Sequence, residues 1–248
     1  MLKEDFYVKC DNLASMIKES KKAVFFGGAG VSTESGIPDF RSRDGLYNQK
    51  YKYPPEQILG STFFHRNPSE FYRFYRDKLD INGVLPNVTH KFICELEKRG
   101  KLIGVITQNI DGLHQAAGSR AVMELHGSLL RNYCIRCKKK YGIEAVRNSE
   151  DVPKCTCGGI IRPDIVLYEE GLDDETVENS LEMITGADLM IIAGTSLNVY
   201  PAAGLIRYFR GKYTVLINRD PTPYDSYADL VINENMGEVF SYLWDKIF

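Results

Sequence analysis

Four short apolar runs, Ala23 to Phe26, Leu102 to Thr107, Asp188 to Ala193 and Tyr213 to Ile217, limit the fold more than any other feature of the chain. Each is bounded by Gly, Pro or polar residues, and a run of that length and composition predicts a strand buried on both faces. Segments with helical spacing separate them, at roughly 8–20, 68–79, 88–99, 173–185, 200–210 and 237–247. Strand and helix in alternation predict an α/β fold, a Rossmann-like parallel sheet with helices on both faces. At 248 residues there is material for one large core and a small lobe beside it.

Two stretches interrupt the alternation. The first, from Arg43 to about Pro86, is rich in Tyr, Phe, Pro and Asn and carries helical patterns with no matching strand. The second, from Arg131 to Arg162, holds four of the six cysteines, Cys134, Cys137, Cys155 and Cys157, together with the basic run Lys138-Lys139-Lys140. Both are expected to build the small lobe, as a helical insertion at 43–86 and a zinc-binding module at 131–162, leaving 1–42, 87–130 and 163–248 to the Rossmann-like domain. Four thiolates in two close pairs suffice for a closed, structural zinc site with no coordination position left for substrate. In a reducing compartment such crowding points to metal rather than to disulfides.

Charge narrows the partners. Lys and Arg number 31 against 33 Asp and Glu, so no broad positive field exists to hold nucleic acid or an anionic membrane. The start Met1-Leu2-Lys3-Glu4-Asp5 carries acids where a signal peptide carries bases, and no apolar run approaches a membrane span, so a soluble cytoplasmic protein is expected.

Gly27-Gly28-Ala29-Gly30 directly follows the first strand, where a dinucleotide fold brings backbone up to phosphates on residues without a bulky Cβ. The same residues also suit a tight turn: a strict G-x-G-x-x-G needs glycine where Thr33 stands, and a P-loop needs a lysine that is missing. After the second strand comes Gln108-Asn109-Ile110-Asp111-Gly112-Leu113-His114, a polar cluster where open α/β sheets place ligands. His126, in Leu125-His126-Gly127-Ser128, lies at another strand end, and neutral imidazole is a competent base near pH 7. Of the other histidines, His65 and His90 are expected at the surface or capping helices, while His114 suits either a contact with the pocket and catalysis or a supporting hydrogen bond.

The run Gly28-Ala29-Gly30-Val31-Ser32-Thr33-Glu34-Ser35-Gly36-Ile37-Pro38-Asp39-Phe40-Arg41-Ser42 is similar, nearly letter for letter, to the cofactor loop of the sirtuin family. The Gln108–His114 segment, Leu125-His126-Gly127 and the paired cysteines resemble the other motifs of that family. The resemblance implies an NAD-dependent protein lysine deacetylase that releases nicotinamide, O-acetyl-ADP-ribose and bare lysine. It places Gly28, Ala29, Gly30, Ser32 and Thr33 at the pyrophosphate, with Arg41 a cation beside it and Phe40 an apolar wall. Gln108, Asn109, Ile110 and Asp111 would line the ribose and nicotinamide pocket, Asp111 holding the carboxamide and Asn109 ordering water. His126 would deprotonate a ribose hydroxyl once the acyl oxygen has displaced nicotinamide. Gly194, Thr195, Ser196, Asn218 and Met236 fall where the family holds adenosine, and Val166 and Leu167 where acylated-lysine protein or peptide adds as a strand.

Two departures stand out. One residue, Thr156, separates the second cysteine pair where the family has two, and Leu167, Tyr168 and Glu169 replace the usual two Phe and Gly. Tyr75 and Lys78 stand where members favouring acidic acyl groups carry Tyr-x-x-Arg, although Phe71, Tyr72, Phe74 and Tyr75 also read as an aromatic packing stripe. Two other activities fit the same motifs: an NAD-dependent mono-ADP-ribosyltransferase, and an NAD(H)-sensing module without turnover.

Overall fold

The structure, a computed structural model, describes residues 3–39, 45 and 52–248. Nine strands and nine helices are present among these residues: β1 Ala23–Gly27, β2 Leu102–Thr107, β3 Val122–Glu124, β4 Gly127–Cys134, β5 Lys140–Gly142, β6 Ile161–Ile165, β7 Leu189–Ala193, β8 Tyr213–Ile217 and β9 Leu230–Ile232. The helices are α1 Lys3–Glu19, α2 Pro55–Ile58, α3 Ser61–Arg66, α4 Pro68–Lys78, α5 Val88–Lys98, α6 Leu113–Ala117, α7 Glu144–Arg147, α8 Asp174–Gly186 and α9 Met236–Ile247. Three 3-10 segments add to them, among them Ala29–Ser35 after β1 and Ala202–Tyr208.

Six strands form one parallel sheet in the order β3-β2-β1-β7-β8-β9. Successive side chains of a strand face opposite ways, so each central strand feeds two cores. Phe25, Val105, Ile191 and Val215 pack with Leu13 of α1, Phe92 of α5 and Phe240 of α9. Val24, Phe26, Ile106, Met190 and Leu216 pack with Ile184 of α8 and Ala203 and Ile206 of the second 3-10 segment. The four expected strands and the covering of both faces are therefore as the apolar runs predict.

A second, antiparallel sheet of order β5-β4-β6 packs with the helical insertion. Phe64 of α3 and Phe71, Tyr72, Phe74 and Tyr75 of α4 share one buried cluster with Leu129, Val146, Ile161 and Ile165. The aromatic stripe is thus core, which settles the role of those four rings. Helix α1 starts at Lys3 rather than near residue 8, with Glu4 and Asp5 in its first turn, where acids offset the helix dipole. The segment expected as a helix over 200–210 winds instead as a 3-10 helix.

Candidate active site

The carboxyl ends of β1, β2, β3, β7 and β8 bring together, among the described residues, the 28–33 loop, the 108–111 segment, His126 and the 194–196 loop. The loop after β1 lies against the loop after β7: Gly30 N donates to Gly194 O at 2.8 Å, and Gly28 N donates to Ala193 O at 3.1 Å. A Cβ on Gly28 would stand 2.7 Å from Thr195 Cβ, and one on Gly30 would stand 2.8 Å from Gly194 Cα. These glycines are therefore required by backbone meeting backbone, before any phosphate is considered. Gly194 itself is left-handed at φ 61, and Met236, first residue of α9, reaches it. Glu34 accepts from Gly237 N at 2.9 Å, tying the loop to the start of α9, a link not foreseen from sequence.

Ser32, Asn109 and Asp111 form a buried chain. Ser32 Oγ donates to Asp111 Oδ2 at 2.7 Å and accepts from Asn109 Nδ2 at 3.0 Å. The Ser32 proton, expected to point at pyrophosphate, is directed to Asp111, and Thr33 Oγ1 donates to Gly30 O at 2.9 Å. Burial pushes the Asp111 carboxyl above its ordinary range, against the hydrogen bonds from Leu113 N and Ser32 that favour the anion. Gln108 Nε2 donates to Thr195 Oγ1 at 2.9 Å, joining the β2 and β7 ends, and Ile110 O accepts from Leu129 N at 2.9 Å. Phe40 and Arg41 lie outside the described residues.

His126 sits between β3 and β4, half-buried, with Nδ1 2.9 Å from the carbonyl oxygen of Gln108. A carbonyl only accepts, so Nδ1 carries the hydrogen and Nε2 keeps its lone pair. Burial lowers the imidazole pKa, partly offset by that same bond, so the ring is neutral near pH 7. The turn after it needs Gly127, left-handed at φ 77, where a Cβ would stand 2.0 Å from Asp164 O. His126 O accepts from Val166 N at 2.9 Å, which sets Val166 and Leu167 beside the histidine. Ser196 is half-buried after β7, and Asn218 directly follows β8, its Nδ2 donating to Asp220 O at 2.6 Å.

Helix α5 supports the loop from outside. Asn87 caps it, accepting from Thr89 N and His90 N, and its Nδ2 donates to Val31 O at 2.8 Å and Ser35 Oγ at 3.1 Å. The pattern Asn-x-x-His, a cap with a partner three residues on, was the available signal for this role. His90 is a cap, as expected, but fully buried rather than at the surface.

The sulfurs of Cys134, Cys137, Cys155 and Cys157 all lie within 4.8 Å of one another, with 3.5 Å between Cys134 and Cys157 and 3.6 Å between Cys137 and Cys155. Tetrahedral zinc with bonds near 2.3 Å places its sulfurs about 3.8 Å apart, so the set fits one structural ion. The shortened pair closes because Gly158 takes φ 82 and Gly159 carries no Cβ, which would stand 2.6 Å from Cys134 Sγ. Tyr141 Oη donates to Cys155 Sγ at 2.9 Å. Strand β4 separates Gly127 from Cys134 by seven steps, about 20 Å, so the metal site is remote from His126.

The model of the Sir2 family matches residues 28–201. The chain is 55% identical over 241 residues to an NAD-dependent protein deacetylase of Clostridium perfringens, covering 96% of this chain and 99% of that one. It is 54% identical over 235 residues to the protein of the same description from Clostridium acetobutylicum, covering 93% and 96%. A solved Sir2 with a deacetylated peptide and 3'-O-acetyl ADP ribose superposes with a TM-score of 0.88 at 39% identity, covering 96% and 98%. Another, Sir2 with a peptide and NAD+, gives 0.86 at 39% identity, again covering 96% and 98%.

Proposed function

The chain belongs to the Sir2 family, and from that premise we propose that it is an NAD-dependent protein lysine deacetylase with His126 as general base. NAD is the co-substrate, and the products are nicotinamide, O-acetyl-ADP-ribose and bare lysine. The single observation that supports the base is the His126 Nδ1 bond to Gln108 O, because it leaves a neutral ring with Nε2 free to take a ribose proton. Asp111 holds the nicotinamide carboxamide, fixed by Ser32 and Leu113 N, and Asn109 orders water and ribose from the same buried chain. The 28–33 loop, Gln108 and Ile110, with Phe40 and Arg41, take the pyrophosphate and ribose. Gly194, Thr195, Ser196, Asn218 and Met236 take adenosine.

Acylated-lysine peptide adds along Val166 and Leu167, with acetyl the acyl group. Tyr75 lies in the core and Lys78 pairs with Asp77 at 3.2 Å, so neither is set to meet an acidic acyl group. The zinc-bearing lobe of 43–86 and 131–162 is structural, reduced thiols suit a cytoplasmic protein, and the balance of 31 Lys and Arg against 33 Asp and Glu suits one without nucleic-acid partners. Among the described residues no helix is long and apolar enough to cross a membrane.

The test is purified protein with NAD and an acetyl-lysine peptide. Nicotinamide and bare lysine are expected in equal amounts, and His126→Ala is expected to stop deacetylation. Protein labelled by ADP-ribose with the acetyl group retained points to the transferase instead. NAD binding with no turnover of acetyl, succinyl or long-chain peptides points to a sensor.

A further inference from the structure

Glu169 is a residue with a Cβ held at φ 77. Glu170 N donates to Leu167 O at 3.1 Å, closing a four-residue turn whose third position Glu169 occupies. A left-handed third position is where such turns take glycine or asparagine, so a glutamate there is disfavoured by the backbone and its cost is offset by the contacts the segment makes. The side chain has a specific partner: Glu169 Oε2 accepts from Thr62 N at 2.9 Å and from Thr62 Oγ1 at 2.6 Å. Helix α3 begins on Gly60, which has no capping side chain, and Glu169 supplies the missing acceptor from across the chain. A Cβ on Gly60 would stand 3.3 Å from Glu169 Oε1, so glycine at the cap leaves room for the carboxylate.

The same two segments are joined by backbone. Tyr168 N donates to Leu59 O and Ser61 N to Tyr168 O, both at 3.0 Å, while Ser61 Oγ donates to Glu170 Oε1 at 2.8 Å. At its other end the segment is bound to the histidine through Val166 N and His126 O. We infer that Glu169 is a positioning residue for acyl-lysine peptide, its carboxylate on Thr62 fixing the 167–170 turn and with it the peptide-pairing edge between His126 and the helical insertion. The inference rests on the substrate role proposed for Val166 and Leu167. The bonds from Thr62 also hold the Glu169 carboxyl below its ordinary range, so the acceptor is an anion at neutral pH.

Steady-state kinetics with NAD and an acetyl-lysine peptide test this. Glu169→Ala is expected to raise the peptide KM about tenfold while the NAD KM stays near wild type and Tm falls by only a few degrees, as loss of a helix cap does. Glu169→Gln, which still accepts a hydrogen bond, is expected to recover most of the loss. Glu169→Gly, which relaxes the backbone but lacks the carboxylate, is expected to resemble Ala. An unchanged peptide KM in Glu169→Ala overturns the inference, as does a Gly variant equal to wild type, or a parallel loss of both KM values and Tm. Val166→Ala, measured alongside, separates the two readings. If it raises the peptide KM and Glu169→Ala does not, the inference alone falls; if it does not, the substrate role of the segment falls and the inference with it.

Discussion

At the scale of single residues, burial decides protonation. His126 must be neutral to act as a base, and burial lowers its pKa, so the acid limb of kcat/KM is expected below pH about 6.5, the free imidazole value. A limb lying above that value would contradict the role. Burial also pushes His90 down to about 4 and His114 well below its ordinary range. Both are uncharged when folded and take up protons on unfolding, so the unfolded state binds more protons below pH 6.5 and stability falls as pH drops toward 4. For His90 the effect is about 3 kcal/mol, and denaturant titrations at pH 7 and 4.5 are expected to show a smaller drop in His90→Asn than in wild type. Sequence placed His126 correctly at a strand end. It could not show the Gln108 carbonyl that fixes its tautomer, because that contact joins chain segments eighteen residues apart.

At the scale of elements, legibility followed length and burial. Strands β1, β2, β7 and β8 were readable because nearly every residue in them is buried, on both faces of a parallel sheet. Strand β4 was not, because its pairing with β6 shifts between Ser128 and Asn132 and its burial does not alternate. Strand β9 and helices α2 and α7 run only three or four residues, too short for any period to register. The cap of α5 gives a prediction with a built-in contrast. Asn87→Ala should cost about 1–2 kcal/mol of stability and also loosen Val31 and Ser35, so NAD affinity falls with it. Phe92→Ala, a fully buried truncation in the same helix, should cost about 3–5 kcal/mol while affecting NAD affinity less. Thermal melts and NAD titrations on the two variants check the reversal of order.

At the scale of the whole molecule, the small sheet joins metal and histidine, since β4 starts beside His126 and ends at Cys134. One zinc per chain is expected by metal analysis, and Cys134→Ser should lose it. Chelation should lower Tm and activity together, and added NAD should not protect the metal. The cysteine count and pairing made that lobe readable, whereas its shared aromatic core with α3 and α4 was open only as one of two readings of the same four rings. The strand order carries a consequence for synthesis. Strand β1 lies between β2 and β7, so its second flank stays bare until residues 189–193 leave the ribosome. The Gly30 bond to Gly194 forms no sooner. A nascent chain therefore carries the Gly27 to Gly30 sequence long before β7 is present to shape the loop, so the loop is finished only when most of the chain has been made.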